Sequence, residues 1–136
     1  MTKNSKILIV DDDSVLRKFI RATIDNGKRD IVEAGSALDG LHMANEDPPD
    51  ILLLDIGLPG QFNGFSLYEA LSKDVRHRKL RVVVISGHGE AEDLAEAKRH
   101  GIDAYIVKPF LPTTLVNLIN QLEASTKEMQ TILPEK

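Results

Sequence analysis

Residues 51–60 read Ile51-Leu52-Leu53-Leu54-Asp55-Ile56-Gly57-Leu58-Pro59-Gly60. Four successive apolar side chains, with no polar alternation, describe a strand covered on both faces, as in parallel sheets. Asp55 closes the run. A lone ionised carboxylate is too costly to keep inside such a strand. It belongs at the strand's C-terminal tip, where open α/β sheets hold their ligands.

Three further segments repeat the form. Ile7-Leu8-Ile9-Val10 runs into Asp11-Asp12-Asp13, Val82-Val83-Val84-Ile85 into Ser86, and Ala104-Tyr105-Ile106-Val107 into Lys108-Pro109. With a run near 30–34, strands are predicted at 6–10, 30–34, 50–55, 81–85 and 104–107. Amphipathic stretches lie between them. Val15, Leu16, Phe19, Ile20 and Ile24 recur at helical spacing, with Asp13 or Ser14 as N-cap and Asn26-Gly27 as the stop. Helices are likewise predicted over 36–46 (Ala37, Leu38, Leu41, Ala44, stopped by Pro48-Pro49) and 65–73 (Phe65, Leu67, Tyr68, Leu71). Two more follow, over 90–100 (Ala91, Leu94, Ala95, closed by Gly101) and 113–129 (Leu115, Leu118, Ile119, Leu122).

Five strands alternating with five helices imply a (βα)5 α/β fold: a parallel sheet covered on both faces. Right-handed crossovers place every strand tip on one edge. The common five-stranded solution is the doubly wound, flavodoxin-like order 2-1-3-4-5. Its neighbouring strands 1, 3, 4 and 5 end in Asp11-Asp12, Asp55, Ser86 and Lys108, so chemistry is expected at that edge.

The 136 residues suit one domain. The expected boundaries are 5–124 for the domain and 125–136 for a C-terminal extension of the last helix or a flexible tail. The chain has no cysteine, which excludes disulfides, thiolate metal sites and cysteine nucleophiles. The N-terminal residues lack a signal peptide's apolar segment, and no stretch approaches the ~20 apolar residues of a membrane span. A cytoplasmic protein without membrane association is expected. The net charge of −4 argues against nucleic acid as a direct partner. The basic run Arg76-His77-Arg78-Lys79, with Arg81, reads as a solvated loop before a strand. The histidines His42, His77, His88 and His100 have no metal-ligand spacing.

Carboxylates gathered at one edge repel, and a divalent cation relieves the repulsion. Hard oxygen ligands without nearby histidine or cysteine select Mg²⁺ over Zn²⁺. Mg²⁺ prefers sites shared with phosphate oxygens, which points to phosphoryl chemistry. One aspartate can then act as nucleophile toward phosphorus, with a lysine and a hydroxyl contacting the phosphoryl oxygens.

These motifs have a counterpart. Over residues 5–124 the chain resembles the receiver domains of two-component response regulators. The resemblance rests on Ile7-Leu8-Ile9-Val10-Asp11-Asp12, Leu54-Asp55-Ile56-Gly57-Leu58-Pro59-Gly60, Val84-Ile85-Ser86-Gly87-His88 and Tyr105-Ile106-Val107-Lys108-Pro109-Phe110. It implies that Asp55 is the phosphoacceptor, charged by a histidine kinase or a histidine phosphotransfer protein. It implies that Asp11, Asp12, Asp55 and the backbone carbonyl of Gly57 hold Mg²⁺. Ser86 would be the switch hydroxyl, Tyr105 the switch aromatic, and Lys108 the partner of the phosphoryl oxygens, followed by a cis bond to Pro109. The face formed by the fourth helix, fifth strand and fifth helix would carry the output to a downstream protein or an output domain. The chain would be a monomer or a phosphorylation-dependent dimer, standing alone or as part of a larger protein. It would catalyse only its own phosphorylation and dephosphorylation.

The sequence departs from the family's pattern in three places. Pro59 to Gly64 is one residue longer than usual before the glycine turn, which would displace the start of the third helix. Gly57 replaces a larger side chain two residues after Asp55. His88 stands two residues after Ser86, so Gly57 and His88 together are expected to tune the dephosphorylation rate. Two alternatives compete. A haloacid-dehalogenase-like phosphohydrolase would use Asp11 as nucleophile and Asp13 as general acid, but would leave Asp55 unexplained and has no acidic pair after Lys108. A receiver-like interaction module that is never phosphorylated would not need the intact Asp11, Asp12, Asp55, Ser86 and Lys108 set.

Overall fold

The structure is a computed structural model that describes residues 4–87 and 91–124, with only the backbone described over 91–94. The strands are β1 (Ser5–Val10), β2 (Arg29–Ala34), β3 (Ile51–Asp55), β4 (Arg81–Ser86) and β5 (Ala104–Val107). The helices are α1 (Ser14–Ile24), α2 (Ala37–Glu46), α3 (Gly64–Ser72), α4 (Ala91–Arg99) and α5 (Pro112–Ala124). All strands are parallel in one sheet of order β2-β1-β3-β4-β5, as expected. The extension at 125–136 and His88 lie outside the described residues.

Alternation along the strands divides the core in two. Ile7, Ile9, Ile51, Leu53, Val83, Ile85 and Ile106 pack against Ile20 and Ile24 of α1 and Leu115, Leu118, Ile119 and Leu122 of α5. Their neighbours Leu8, Val10, Leu52, Leu54, Val82, Val84 and Tyr105 pack against Ala37, Ala44, Leu67, Leu71 and Ala97 of α2, α3 and α4. A buried aliphatic side chain of this size contributes about 1.5–3 kcal/mol. Two such layers require strands that are apolar at every position, which is how β1, β3 and β4 read.

The helices follow the predicted pattern with local differences. Asp13 is the N-cap of α1, accepting the N–H groups of Val15 and Leu16. The α1 stripe is only half buried: Ile20 and Ile24 are enclosed, whereas Val15 and Phe19 are exposed. Among the described side chains of α4, Ala97 is packed and Ala95 is exposed, while Ala91 and Leu94 lie outside the described side chains. Helical spacing alone does not say which edge of a broad stripe meets the sheet. The basic loop is not wholly solvated, because Val75–His77 forms a 3-10 turn and His77 is buried, with Nε2 3.0 Å from Asn45 Oδ1.

Despite the longer preceding loop, α3 starts tight against the strand tip. Asn63 and Ser66 form a capping box. A Cβ on Gly64 would lie 2.8 Å from the Asp55 carbonyl oxygen and 2.9 Å from Ile56 Cα. Both contacts are backbone and cannot swing aside. At the other end of the molecule, Arg29 is buried and donates to Glu123 of α5 at 2.6 and 2.8 Å, to Asn120 at 2.7 Å and to the Ile24 carbonyl at 2.7 Å. This guanidinium ties β2, α1 and α5 together.

Two outcomes follow from this packing. Gly64→Ala is expected to destabilise the domain by about 1–3 kcal/mol, the usual cost of forcing an atom into a filled site. Gly87→Ala, where an added Cβ meets nothing within 4 Å among the described residues, is expected to stay within about 0.5 kcal/mol of wild type; urea unfolding compares the two. Arg29 holds the Glu123 carboxyl below the usual range, against the opposing effect of burial. A folded-state value below the unfolded one gives stability that is present above the unfolded value and lost as pH falls through the folded one. Glu123→Gln should therefore cost about 1–2 kcal/mol at neutral pH. Its gap to wild type should close as pH falls below the ordinary glutamate range, measured by urea midpoints across that interval.

Candidate functional site

Parallel register sets the site. Val10 pairs with Leu54, Asp55 with Ile85, and Ser86 with Val107. The chain emerging from each of these strands therefore reaches the same edge at the same height. Asp11 and Asp55 are buried there, and Asp12 is exposed. One carboxylate oxygen from each of Asp11, Asp12 and Asp55 lies within 4.8 Å of the others. Lys108, one residue beyond β5, brings its Nζ to 3.2 Å from Asp11 Oδ2 and 3.5 Å from Asp55 Oδ2.

Each group is fixed by local geometry. Asp55 Oδ1 accepts the Gly57 N–H at 2.8 Å, which leaves Oδ2 toward Lys108. Asp11 Oδ1 accepts the Asp13 N–H at 2.9 Å. The Lys108 N–H donates to the Ser86 carbonyl at 2.7 Å, coupling the ends of β4 and β5. The Lys108–Pro109 bond is cis, as expected. Ser86 is buried at the tip of β4. Tyr105 is almost fully buried within the layer of α2, α3 and α4. Gly57 is exposed, and a Cβ there would stand 3.3 Å from Asp55 Oδ1.

The electrostatics favour a cation. Burial raises the Asp11 carboxyl above the ordinary aspartate value, and the neighbouring Asp55 charge adds to this. The Asp13 N–H and Lys108 act in the opposite direction. Three carboxylates facing one ammonium leave two negative charges, from three minus one. A hard divalent cation matches both that deficit and an all-oxygen donor set. The residues therefore fit Mg²⁺.

Asp13 lies outside this group. Its carboxylate caps α1, accepting from Val15 and Leu16 at 3.0 and 3.2 Å. That capping role, and its place outside the acids gathered at the pocket, count against Asp13 as the general acid of the phosphohydrolase alternative. Sequence reasoning missed Arg17 and Glu33, which stand behind the pocket. Arg17 Nη1 donates to the Asp11 carbonyl at 2.6 Å, and its Nε to Glu33 Oε1 at 3.0 Å. The one available signal was a pair of arginines four apart on α1, Arg17 and Arg21, on the element next to an acid in the second strand.

Comparison with known proteins agrees with this geometry. The response regulator receiver domain model matches residues 7–120. The protein PilH of Pseudomonas aeruginosa is 31% identical over 120 residues, covering 88% of this chain and 98% of its own. The chemotaxis protein CheY-3 of Vibrio cholerae is 32% identical over 123 residues, covering 90% of this chain and 94% of its own. Among solved structures, the CheY-like receiver domain protein of Methanospirillum hungatei superposes with a TM-score of 0.80 at 27% identity, covering 90% of this chain and 96% of its own. Fold, acidic pocket and sequence matches converge: the chain belongs to the response regulator receiver domain family, the phosphoacceptor module of two-component signalling.

Proposed function

We propose that Asp55 is the phosphoacceptor and that the pocket around it works as a phosphorylation switch. The observation that carries this reading is the convergence of Asp11, Asp12, Asp55 and Lys108 at one sheet edge. The Gly57 N–H holds Oδ1 of Asp55 and leaves Oδ2 to attack phosphorus. The donor is a phosphohistidine on a histidine kinase or phosphotransfer protein. The O–P bond forms as the P–N bond breaks, and the imidazole departs. Lys108 neutralises an oxygen of the transferred group, a charge-assisted contact that is strong in a partly buried site. Asp11, Asp12, Asp55 and the Gly57 carbonyl would hold Mg²⁺, which when bound neutralises the carboxylates and the incoming phosphoryl charge.

Ser86 and Tyr105 are read as the switch pair. Phosphorylation would shift an existing equilibrium between two arrangements of the α4-β5-α5 face. That face would pass the signal to a downstream protein or output domain. The coupled β4 and β5 tips support this route, because Lys108 is bonded through its own N–H to the residue carrying the switch hydroxyl. Residues 5–124 are taken as the functional unit, acting as a signalling module and turning over only its own phosphoryl group. Among the described residues no helix is long and apolar enough to cross a membrane. A cytoplasmic site of action agrees with a phosphohistidine donor.

Labelling tests the assignment. With Mg²⁺ and a small acyl phosphate donor, wild type should gain one phosphoryl group, mapped to Asp55 by borohydride trapping and mass spectrometry. Asp55→Asn should gain none and keep its far-ultraviolet dichroism. Label at Asp11, or equal label on neighbouring residues in Asp55→Asn, would overturn the assignment. Lys108→Ala should still accept the group while losing the amide shift changes that labelling causes along β5 and α5. Replacing Gly57 and His88 together by bulky apolar residues should lengthen the half-life of the labelled form, read by phosphate release. An unchanged half-life would remove both residues from rate control.

A further inference from the structure

Asp12 contributes a carboxylate to the pocket yet is itself exposed, so its direction depends on the backbone that carries it. That backbone is gripped from behind. The Asp11 N–H donates to the Ala34 carbonyl on β2 at 3.2 Å. The Asp11 carbonyl accepts Arg17 Nη1 at 2.6 Å. The first bond holds the peptide between Val10 and Asp11 and the second the peptide between Asp11 and Asp12, so the backbone is tied on both sides of Asp11.

Arg17 is itself locked. Its Nε donates to Glu33 Oε1 at 3.0 Å, and Glu33 precedes Ala34 on the same strand. The second Glu33 oxygen accepts Arg21 Nε at 2.7 Å. Arg17 and Glu33 are only 17% and 18% exposed through their side chains. A Cβ on Gly35 would lie 3.4 Å from Arg17 Nη1, so the guanidinium passes closely over the turn that follows β2. The planar fork of arginine serves a carboxylate and a carbonyl at once, which a lysine ammonium does less well.

We propose that Arg17, anchored by Glu33, is a positioning residue for the cation site: it orients the Asp11–Asp12 peptide so that both carboxylates face the same point as Asp55. The inference rests on reading Asp11, Asp12 and Asp55 as a Mg²⁺ site. Groups that orient metal ligands in this way influence affinity without touching the ion. Charge alone has the opposite sign. A guanidinium beside a cation site repels the ion, so deleting only its charge strengthens Mg²⁺ binding. Deleting a positioning contact weakens it.

Mg²⁺ titrations followed by the amide shifts of Asp12 and Gly57 distinguish the two on the intact chain, with urea midpoints measured without Mg²⁺. Arg17→Met is expected to weaken Mg²⁺ binding about tenfold. Arg21→Met removes the same charge and also contacts Glu33, but does not reach Asp11; its affinity is expected to stay within about twofold of wild type, because it leaves the ligand-orienting contact intact. Unchanged or tighter binding by Arg17→Met overturns the proposal. So does an equal loss in Arg17→Met and Arg21→Met, which would reduce both arginines to a general tie between α1 and β2. If Arg17→Met does not fold, Arg17→Lys decides: a loss beyond about threefold supports the proposal and unchanged affinity overturns it. A wild-type protein whose Asp12 and Gly57 amides ignore Mg²⁺ overturns the cation-site reading itself, and the inference with it.

Discussion

Asp11, Asp12 and Asp55 carry more negative charge into one pocket than Lys108 can balance. Much of the structure serves to keep that imbalance in place. Left to themselves, the carboxylates would separate or take up protons. They are prevented from separating by parallel pairing, which brings the chain after β1, β3 and β5 to one height. Local bonds then fix individual oxygens: Gly57 on Asp55, Asp13 on Asp11. The result is a site whose surplus negative charge suits a hard divalent cation.

The rigidity of this edge comes from the two-faced sheet behind it. Side chains of β1, β3 and β4 alternate between a layer with α1 and α5 and a layer with α2, α3 and α4. A shift of one residue in any strand would exchange the two layers and move its tip out of line. Gly64 seats α3 on the backbone of the tip, and Arg29 holds α5 to β2 and α1 at the other end. The tips of β4 and β5 are joined in turn by the bond from the Lys108 N–H to the Ser86 carbonyl.

Residue patterns made the architecture legible because strands covered on both faces are apolar at every position, and the first polar residue marks the tip. Asp55, Ser86 and Lys108 could each be placed that way, and strand order then made them neighbours. The stripe on α5, Leu115, Leu118, Ile119 and Leu122, also packed as its spacing predicts. Other readings stopped short. Val15 and Phe19 belong to the α1 stripe but are exposed, and among the described side chains of α4 it is Ala97 that packs, not Ala95. Periodicity identifies a face but not the width of the surface that covers it. His77 lay within a run of cations and became buried, because a 3-10 turn brought it against Asn45.

The sequence by itself determined which residue types end which strands, and hence the fold and the acids of the pocket. That information is local: an apolar run cannot accommodate a charge, so the charge defines the boundary. Only the tertiary structure decided which acids act together. It turned Asp13 away to cap α1, joined Asp11, Asp12 and Asp55 to Lys108, and brought Arg17 and Glu33 behind them. These are contacts between residues on different elements. Their partners depend on how helices settle on the sheet, which no run of neighbouring residues encodes.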